Sequence, residues 1–309
     1  MSLLEKVSEE CRKIRSIDLK EFRKSGSGAN GTSYDSIKDL GLMMKLYNPD
    51  YPFAPILKEV EVAKKVYDLG VPSPRPGTLV TDGLRTGILF ERICSKRSYS
   101  RMLADEPERV EEFSRDFAVR CKDLHSRECP EGMFPDAKAQ FLDLLEKNPW
   151  IEGRCHDAMA TFISSVPDAG TCLHGDLQFG NAISTLPKGA PLSTPHKFFF
   201  IDLGYFSRGC PLFDLGMTQC ICLYCDEDFR QKEFHITGEL SAKAWDFFLD
   251  EYFFGEEHLA ERYFGPGQTI QSVSRAIIPY MCCTFLLVGY NVGSMPPHYM
   301  KIIQETFGK

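Results

Sequence analysis

Three polar motifs in the second half of the chain concentrate the residues that could do chemistry. The first, Cys172-Leu-His-Gly-Asp-Leu-Gln-Phe-Gly-Asn181, sets Asp176 and Asn181 five positions apart in a stretch containing glycines. In the second, Phe198-Phe-Phe-Ile-Asp202-Leu-Gly, an apolar run delivers a carboxylate at its end and a flexible turn follows. The third is Gly209-Cys-Pro-Leu-Phe-Asp214-Leu-Gly. Phosphoryl transfer needs this inventory, because its catalysis is mostly positioning and charge neutralisation. Magnesium takes hard oxygen ligands, one or two from side chains and the rest from phosphates and water, and Asn181 and Asp202 offer such oxygens. An attacking hydroxyl must lose its proton, and Asp176 is placed to accept it.

The first half supplies what the phosphates would need. Lys45 lies inside a strand-like piece, Leu42–Tyr47, from which its ammonium can reach the α- and β-phosphates. Upstream runs Ser25-Gly-Ser-Gly-Ala-Asn-Gly-Thr-Ser-Tyr34, read as a loop whose free amides cover the phosphates; Gly26, Ser27, Gly28, Asn30 and Gly31 are its candidate contacts. A lysine in that role needs a carboxylate to orient it. The helical pattern of Pro55–Leu69 offers Glu61 or Glu59. Backbone groups from Glu91 to Ile93 could hold the base of ATP, with GTP the other nucleotide open.

These motifs need elements to carry them. Ile56, Val60, Ala63 and Tyr67 recur at spacings of three and four, which predicts one buried helix face, stopped by Gly70. Gly77–Thr81 and Thr86–Ile93 read as strands joined by Asp82-Gly83, a hairpin signal. Beyond Tyr99 the period turns helical, over Pro107–Ser126, Asp136–Lys147 and most of the chain after Asp214, interrupted by short strands near 171–184 and 197–203. The expectation is an α+β, two-lobed chain: residues 1–95 a small β-rich nucleotide lobe, with a leading helix over 1–16, and 96–309 a larger helical lobe.

Taken together, these residues resemble the aminoglycoside phosphotransferase and choline kinase superfamily, which has a protein-kinase-like fold. His174-Gly-Asp176 with Asn181, Ile201-Asp202, Asp214-Leu-Gly, the glycine-rich stretch, Met44-Lys45-Leu-Tyr and Asp68-Leu-Gly-Val-Pro-Ser-Pro carry the resemblance over about residues 17 to 290. It implies Asp176 as catalytic base, Asn181 and Asp202 as magnesium ligands, Lys45 on the α/β-phosphates, Glu61 in preference to Glu59 as its partner, and Asp214 as a brace for the catalytic loop. The chain departs from the protein-kinase pattern in the spacing of its glycines and in having Leu203 after Asp202.

Eleven residues separate Asp202 from Asp214, too few for the activation segment on which a protein kinase supports a peptide. His-Gly-Asp also lacks the arginine that would pair with a phosphorylated segment. The reading is therefore a kinase acting on the hydroxyl of a small molecule: an aminoglycoside, choline, a sugar or similar, with a cationic acceptor open. A catalytically silent nucleotide-binding pseudokinase acting through partners is the alternative. Such proteins usually lack the base, the metal aspartate or the lysine, and here all three stand.

Composition excludes other classes. With 43% apolar and 26% charged residues the chain is ordinary globular material, not disordered or coiled coil. A net charge of −7 argues against general nucleic-acid binding. Residues 212–309 carry 7 basic and 13 acidic side chains, a net of −6, so a field attracting a cation is conceivable there. Asp226, Glu227, Asp228, Asp250 and Glu251 are the acids to test for it. Twelve cysteines without an apolar leader predict a reduced, cytoplasmic protein rather than a disulfide framework. Cys220-Ile-Cys-Leu-Tyr-Cys225 reads as core more readily than as a metal site, and His125 and His174 as scaffold. Ala276–Tyr290 is apolar but short for a membrane span, and is expected to be a buried helix.

Overall fold

The computed structural model describes residues 14–28 and 30–308. The chain forms two compact units: one runs to Arg97 and takes in Ile183–Gly204, and the other comprises Ser98–Ala182 and the chain from Tyr205 onward. The return of 183–204 to the first unit is invisible in a division at residue 95, and it places Asp202 in the unit that contains Lys45.

The first unit is built on a six-stranded sheet. Its strands are β1 (Arg15–Ser16), β2 (Phe22–Gly28), β3 (Gly31–Ser36), β4 (Leu42–Tyr47), β5 (Pro76–Thr81) and β6 (Thr86–Glu91), in the order β1-β5-β6-β4-β3-β2. All neighbours are antiparallel except β1 and β5. Of the helix expected over 1–16, residues 1–13 lie outside the described residues; Arg15 and Ser16 are extended because they pair with Val80 and Thr81. The stretch read as a phosphate-covering loop is instead the end of the β2–β3 hairpin, in which Gly28 pairs with Gly31 and a bulge falls between Lys24 and Gly26. Gly31 leaves room for β4, since a Cβ there would stand 2.5 Å from the Leu46 carbonyl oxygen.

Strand alternation divides β4. Met44 and Leu46 pack on one sheet face with Val80 and Leu89. Tyr47 faces the other way, against helix α1 (Phe53–Asp68), in a core with Ile56, Leu57, Val60, Leu79 and Ile88. Lys45 shares the parity of Tyr47 and so projects on the α1 side. The buried residues of α1 are Ile56, Leu57, Val60, Val62, Ala63 and Val66. Tyr67, expected on that face, is 41% exposed, because the stripe drifts toward Val66 at the last turn. Gly70, at φ +73°, ends the helix as predicted. In the returning segment, strand β7 (Phe198–Phe200) is tied to the rest of the first unit by Phe200 N–H donating to the Pro72 carbonyl at 2.8 Å.

The second unit is mostly helical. Helix α3 (Val110–Ser126) packs on α8 (Gly238–Phe254), and α6 (Leu212–Gln219) on α10 (Ile270–Val292). Phe117, Phe179, Trp245 and Phe248 form an aromatic core with ring centroids 4.5 to 6.3 Å apart. Such rings supply much of the apolar burial that offsets chain entropy. Among the described residues α10 is the one helix long and apolar enough to cross a membrane, and half of its most apolar stretch is buried within the protein. The helix is longer than the expected Ala276–Tyr290 because Thr269 and Ser272 form a capping box at its start.

Several of the acids singled out in the last third have partners in three dimensions. Arg115, on α3, meets Asp250 at 2.7 Å, and Lys122 meets Glu251 at 2.9 Å. Asp226 caps the helix Glu227–Phe234 through the amides of Asp228 and Phe229, and Glu227 pairs with Arg230. Folding thus brings two cations from earlier in the chain onto Asp250 and Glu251, which offsets part of the segment's net charge.

Candidate active site

In the first unit, the Lys45 ammonium stands 2.8 Å from Glu59 Oε1 and 3.0 Å from Asp202 Oδ1. Glu59, not Glu61, is its helix partner. Glu59 lies three residues after Ile56 and four before Ala63, on the inward stripe, whereas Glu61 is turned about 200° away by two helical steps. Burial works against the charged lysine, but the Asp202 and Glu59 carboxylates outweigh it and raise its pKa above the ordinary lysine value. The ammonium also lies 5.2 Å from the Tyr47 ring centroid. Asp202 adopts φ +59°, a left-handed conformation uncommon for a residue with a Cβ. Its carboxylate is 56% exposed.

These three side chains line a cavity of about 430 Å³ formed within the first unit. That is the size of a small-molecule site. The hairpin contributes Gly26, Ser27, Asn30 and Gly31 to its wall. On the sheet side Met43 and Phe90 line it. Glu91 and Ile93 do not: the Glu91 N–H donates to the Arg75 carbonyl at 2.8 Å, and Ile93 is buried. Lys96, which the sequence reading passed over, also lines the cavity. Burial pulls its pKa below the ordinary value despite Asp35, and Arg92 adds to the effect.

In the second unit, α6 holds the loop that carries Asp176. Asp214 Oδ2 accepts from the His174 N–H at 2.7 Å and Oδ1 from the Gly175 N–H at 2.8 Å. One turn on, Thr218 Oγ1 donates to the Leu177 carbonyl at 2.9 Å. His125 Nε2 lies 3.0 Å from Asp214 Oδ2, and its Nδ1 lies 2.7 Å from the Tyr252 hydroxyl. A carboxylate only accepts, so Nε2–H donates to Asp214 and Nδ1 is left to accept from Tyr252. All three side chains are buried. Gly175 takes φ +82°, and a Cβ there would run into the Tyr205 carbonyl. That is the physical reason for glycine between His174 and Asp176. The Asp176 N–H points at His174 Nδ1 at 3.3 Å, so His174 shapes the loop.

Asn181 Nδ2 donates to Asp176 Oδ2 at 2.8 Å and to the Asp176 carbonyl at 2.9 Å. Its amide oxygen is thereby turned away from the aspartate, as a hard-oxygen ligand would be. Cys220, Cys222 and Cys225 belong to a π-helical turn and its cap and are buried, and the eleven described cysteines are free thiols. Among the described residues no three His, Cys, Asp or Glu gather as a metal cluster.

The chain matches the model of the phosphotransferase enzyme family over residues 23–248. It therefore belongs to that family, within the aminoglycoside phosphotransferase and choline kinase superfamily of small-molecule kinases, and it has the protein-kinase-like fold. A gentamicin complex of aminoglycoside phosphotransferase APH(2")-IIa aligns with a TM-score of 0.54 and 16% identity, covering 100% of this chain and 97% of that one. An aminoglycoside-3'-phosphotransferase of type VIII gives 0.52 and 16%, covering 89% and 98%. Amicoumacin kinase hAmiN, in complex with AMP-PNP, Ca2+ and Ami, gives 0.51 and 10%, covering 99% and 94%. No curated protein sequence matches the chain.

Proposed function

We propose that the protein transfers the γ-phosphoryl group of ATP to a hydroxyl of a small molecule, assisted by magnesium. The observation that carries this reading is the bridging of Glu59 and Asp202 by Lys45, which joins motifs 157 residues apart beside a cavity of suitable size. Lys45 steadies the α/β-phosphates, and the Gly26, Ser27, Asn30 and Gly31 hairpin covers them. Asp176 orients the acceptor hydroxyl and takes its proton as the new O–P bond forms and the bond from the γ-phosphorus to its bridging oxygen breaks, releasing ADP. The Asp202 carboxylate and the Asn181 amide oxygen are the hard donors that suit magnesium. When bound, the metal neutralises phosphate charge. GTP in place of ATP stays open as the phosphoryl donor, and a cytoplasmic site of action is part of the same proposal.

The pseudokinase alternative is disfavoured by the intact Lys45 pairing and by the ordered Asp176–Asn181 loop. The test is a phosphotransfer screen with Mg-ATP and pooled hydroxylated metabolites and aminoglycosides, read by mass spectrometry beside Asp176→Asn. A phosphorylated product that needs magnesium and vanishes in the variant supports the reading. Nucleotide binding with no product from any pool would favour the pseudokinase.

A further inference from the structure

We propose that Tyr47 is a positioning residue for the phosphoryl transfer: its ring seats the Lys45 ammonium, and its hydroxyl donates to Glu59 when a bound phosphate draws on that ammonium. The inference rests on the phosphotransferase reading and gives a role to a residue that the family resemblance leaves without one. Tyr47 follows Lys45 by two on β4, so the two side chains share the α1 side of the sheet. The Lys45 Nζ lies 5.2 Å from the ring centroid, within reach of the ring's negative face. The ring has no room to drift. It is 1% exposed, packs among Ile56, Leu57, Val60, Leu79 and Ile88, and stacks on Tyr51 with centroids 5.0 Å apart. Ile56 and Val60 bracket Glu59 on α1, so the contacts that fix the ring also fix the helical turn that presents the carboxylate.

The hydroxyl supplies the second half. It is buried, and among the described residues it makes no hydrogen bond of ordinary geometry. Burial pushes its pKa above the ordinary tyrosine value, and the Glu59 carboxylate pushes it further, with Asp202 adding less. The group therefore stays protonated, a donor in need of an acceptor, and leaving such a donor unmatched away from water is costly. Glu59 is the carboxylate that acts on it most strongly. Its Oε1 is already engaged by Lys45 at 2.8 Å, which leaves Oε2 to accept. Lys45 in turn is divided between Glu59 and Asp202, at 2.8 and 3.0 Å. A phosphate that competes for the ammonium leaves Glu59 short of a donor, and the Tyr47 hydroxyl makes up the loss.

The test measures kcat, KM for Mg-ATP and Tm on the acceptor found by the phosphotransfer screen, for wild type, Tyr47→Phe, Glu59→Ala, the double variant and Tyr47→Leu. Tyr47→Phe keeps the ring and the core and removes the hydroxyl alone. It should lower kcat by roughly five- to tenfold, with KM for Mg-ATP within about twofold and Tm within about 3 °C of wild type. In the Glu59→Ala background the same change should cost less than about twofold, because the two residues act as a unit. Tyr47→Leu, which removes the ring as well, should lower kcat by a further factor of about three to ten and raise KM for Mg-ATP. Three results overturn the proposal and leave the phosphotransferase reading standing: a kcat of Tyr47→Phe within about twofold of wild type, an equal loss with and without Glu59, or a Tyr47→Leu no slower than Tyr47→Phe. No product from wild type with any acceptor overturns that reading and the proposal with it.

Discussion

Lys45 and Asp214 each gather partners from distant parts of the sequence, yet the two clusters are built differently. The Lys45 cluster is ionic, lines a cavity, and uses a half-exposed Asp202 in a left-handed conformation. The Asp214 cluster is buried, with a carboxylate that spends its oxygens on two backbone amides and His125. A partly buried ion cluster that opens on a cavity through a half-exposed carboxylate can exchange partners with a ligand. A buried acceptor that satisfies several donors cannot be removed without stranding them. The first arrangement handles a ligand, and the second holds the shape of a loop.

The contrast can be broken at either end. Asp214→Ala should give the largest effect, about 3–5 kcal/mol of unfolding free energy in urea, because the amides of His174 and Gly175 lose their acceptor. A loss under about 1 kcal/mol would remove Asp214 as the brace. Gly175→Ala should cost about 2 kcal/mol or more, from the left-handed backbone and the collision with Tyr205, with turnover falling alongside. Lys45→Met should weigh the other way: turnover down roughly a hundredfold, with a smaller loss of stability than Asp214→Ala causes. Glu59→Gln should lower turnover by about tenfold while Glu61→Gln stays within twofold; equal effects would dissolve the assignment of Glu59.

The smallest expected effect concerns pH. The Lys45 pKa is raised on folding, so its stabilisation is complete below the unfolded value of 10.5 and is lost only as pH climbs through the higher folded value. The stability difference between wild type and Lys45→Met should therefore be the same at pH 7 and pH 9. A difference that shrinks by pH 9 would mean that the carboxylates do not hold the charge.

The local setting of the candidate residues was legible in the sequence, because each motif is short: Asn181 beside Asp176, Asp202 after its strand, Lys45 inside β4. What was not legible depends on rotation or on long-range assembly. The preference for Glu61 over Glu59 failed by two helical steps, although Ile56 and Ala63 already marked the stripe that contains Glu59. The supposed loop at Gly26–Gly31 is a hairpin because β4 offers Gly31 a partner, which no local pattern announces. Asp250 and Glu251, acids of the last third, are held by Arg115 and Lys122 of α3, a pairing that joins residues more than a hundred positions apart. The return of 183–204 to the first unit has no signal in composition at all.

The central claim is that Asp176 acts on the phosphoryl transfer itself rather than on nucleotide binding or folding. The direct measurement is the split between Mg-ATP affinity, by calorimetry, and turnover on the identified acceptor, for wild type and Asp176→Asn. The account predicts a Kd within about threefold of wild type and a kcat lower by roughly 10²- to 10⁴-fold. An unchanged kcat, or a kcat loss matched by an equal loss of nucleotide affinity, would contradict it.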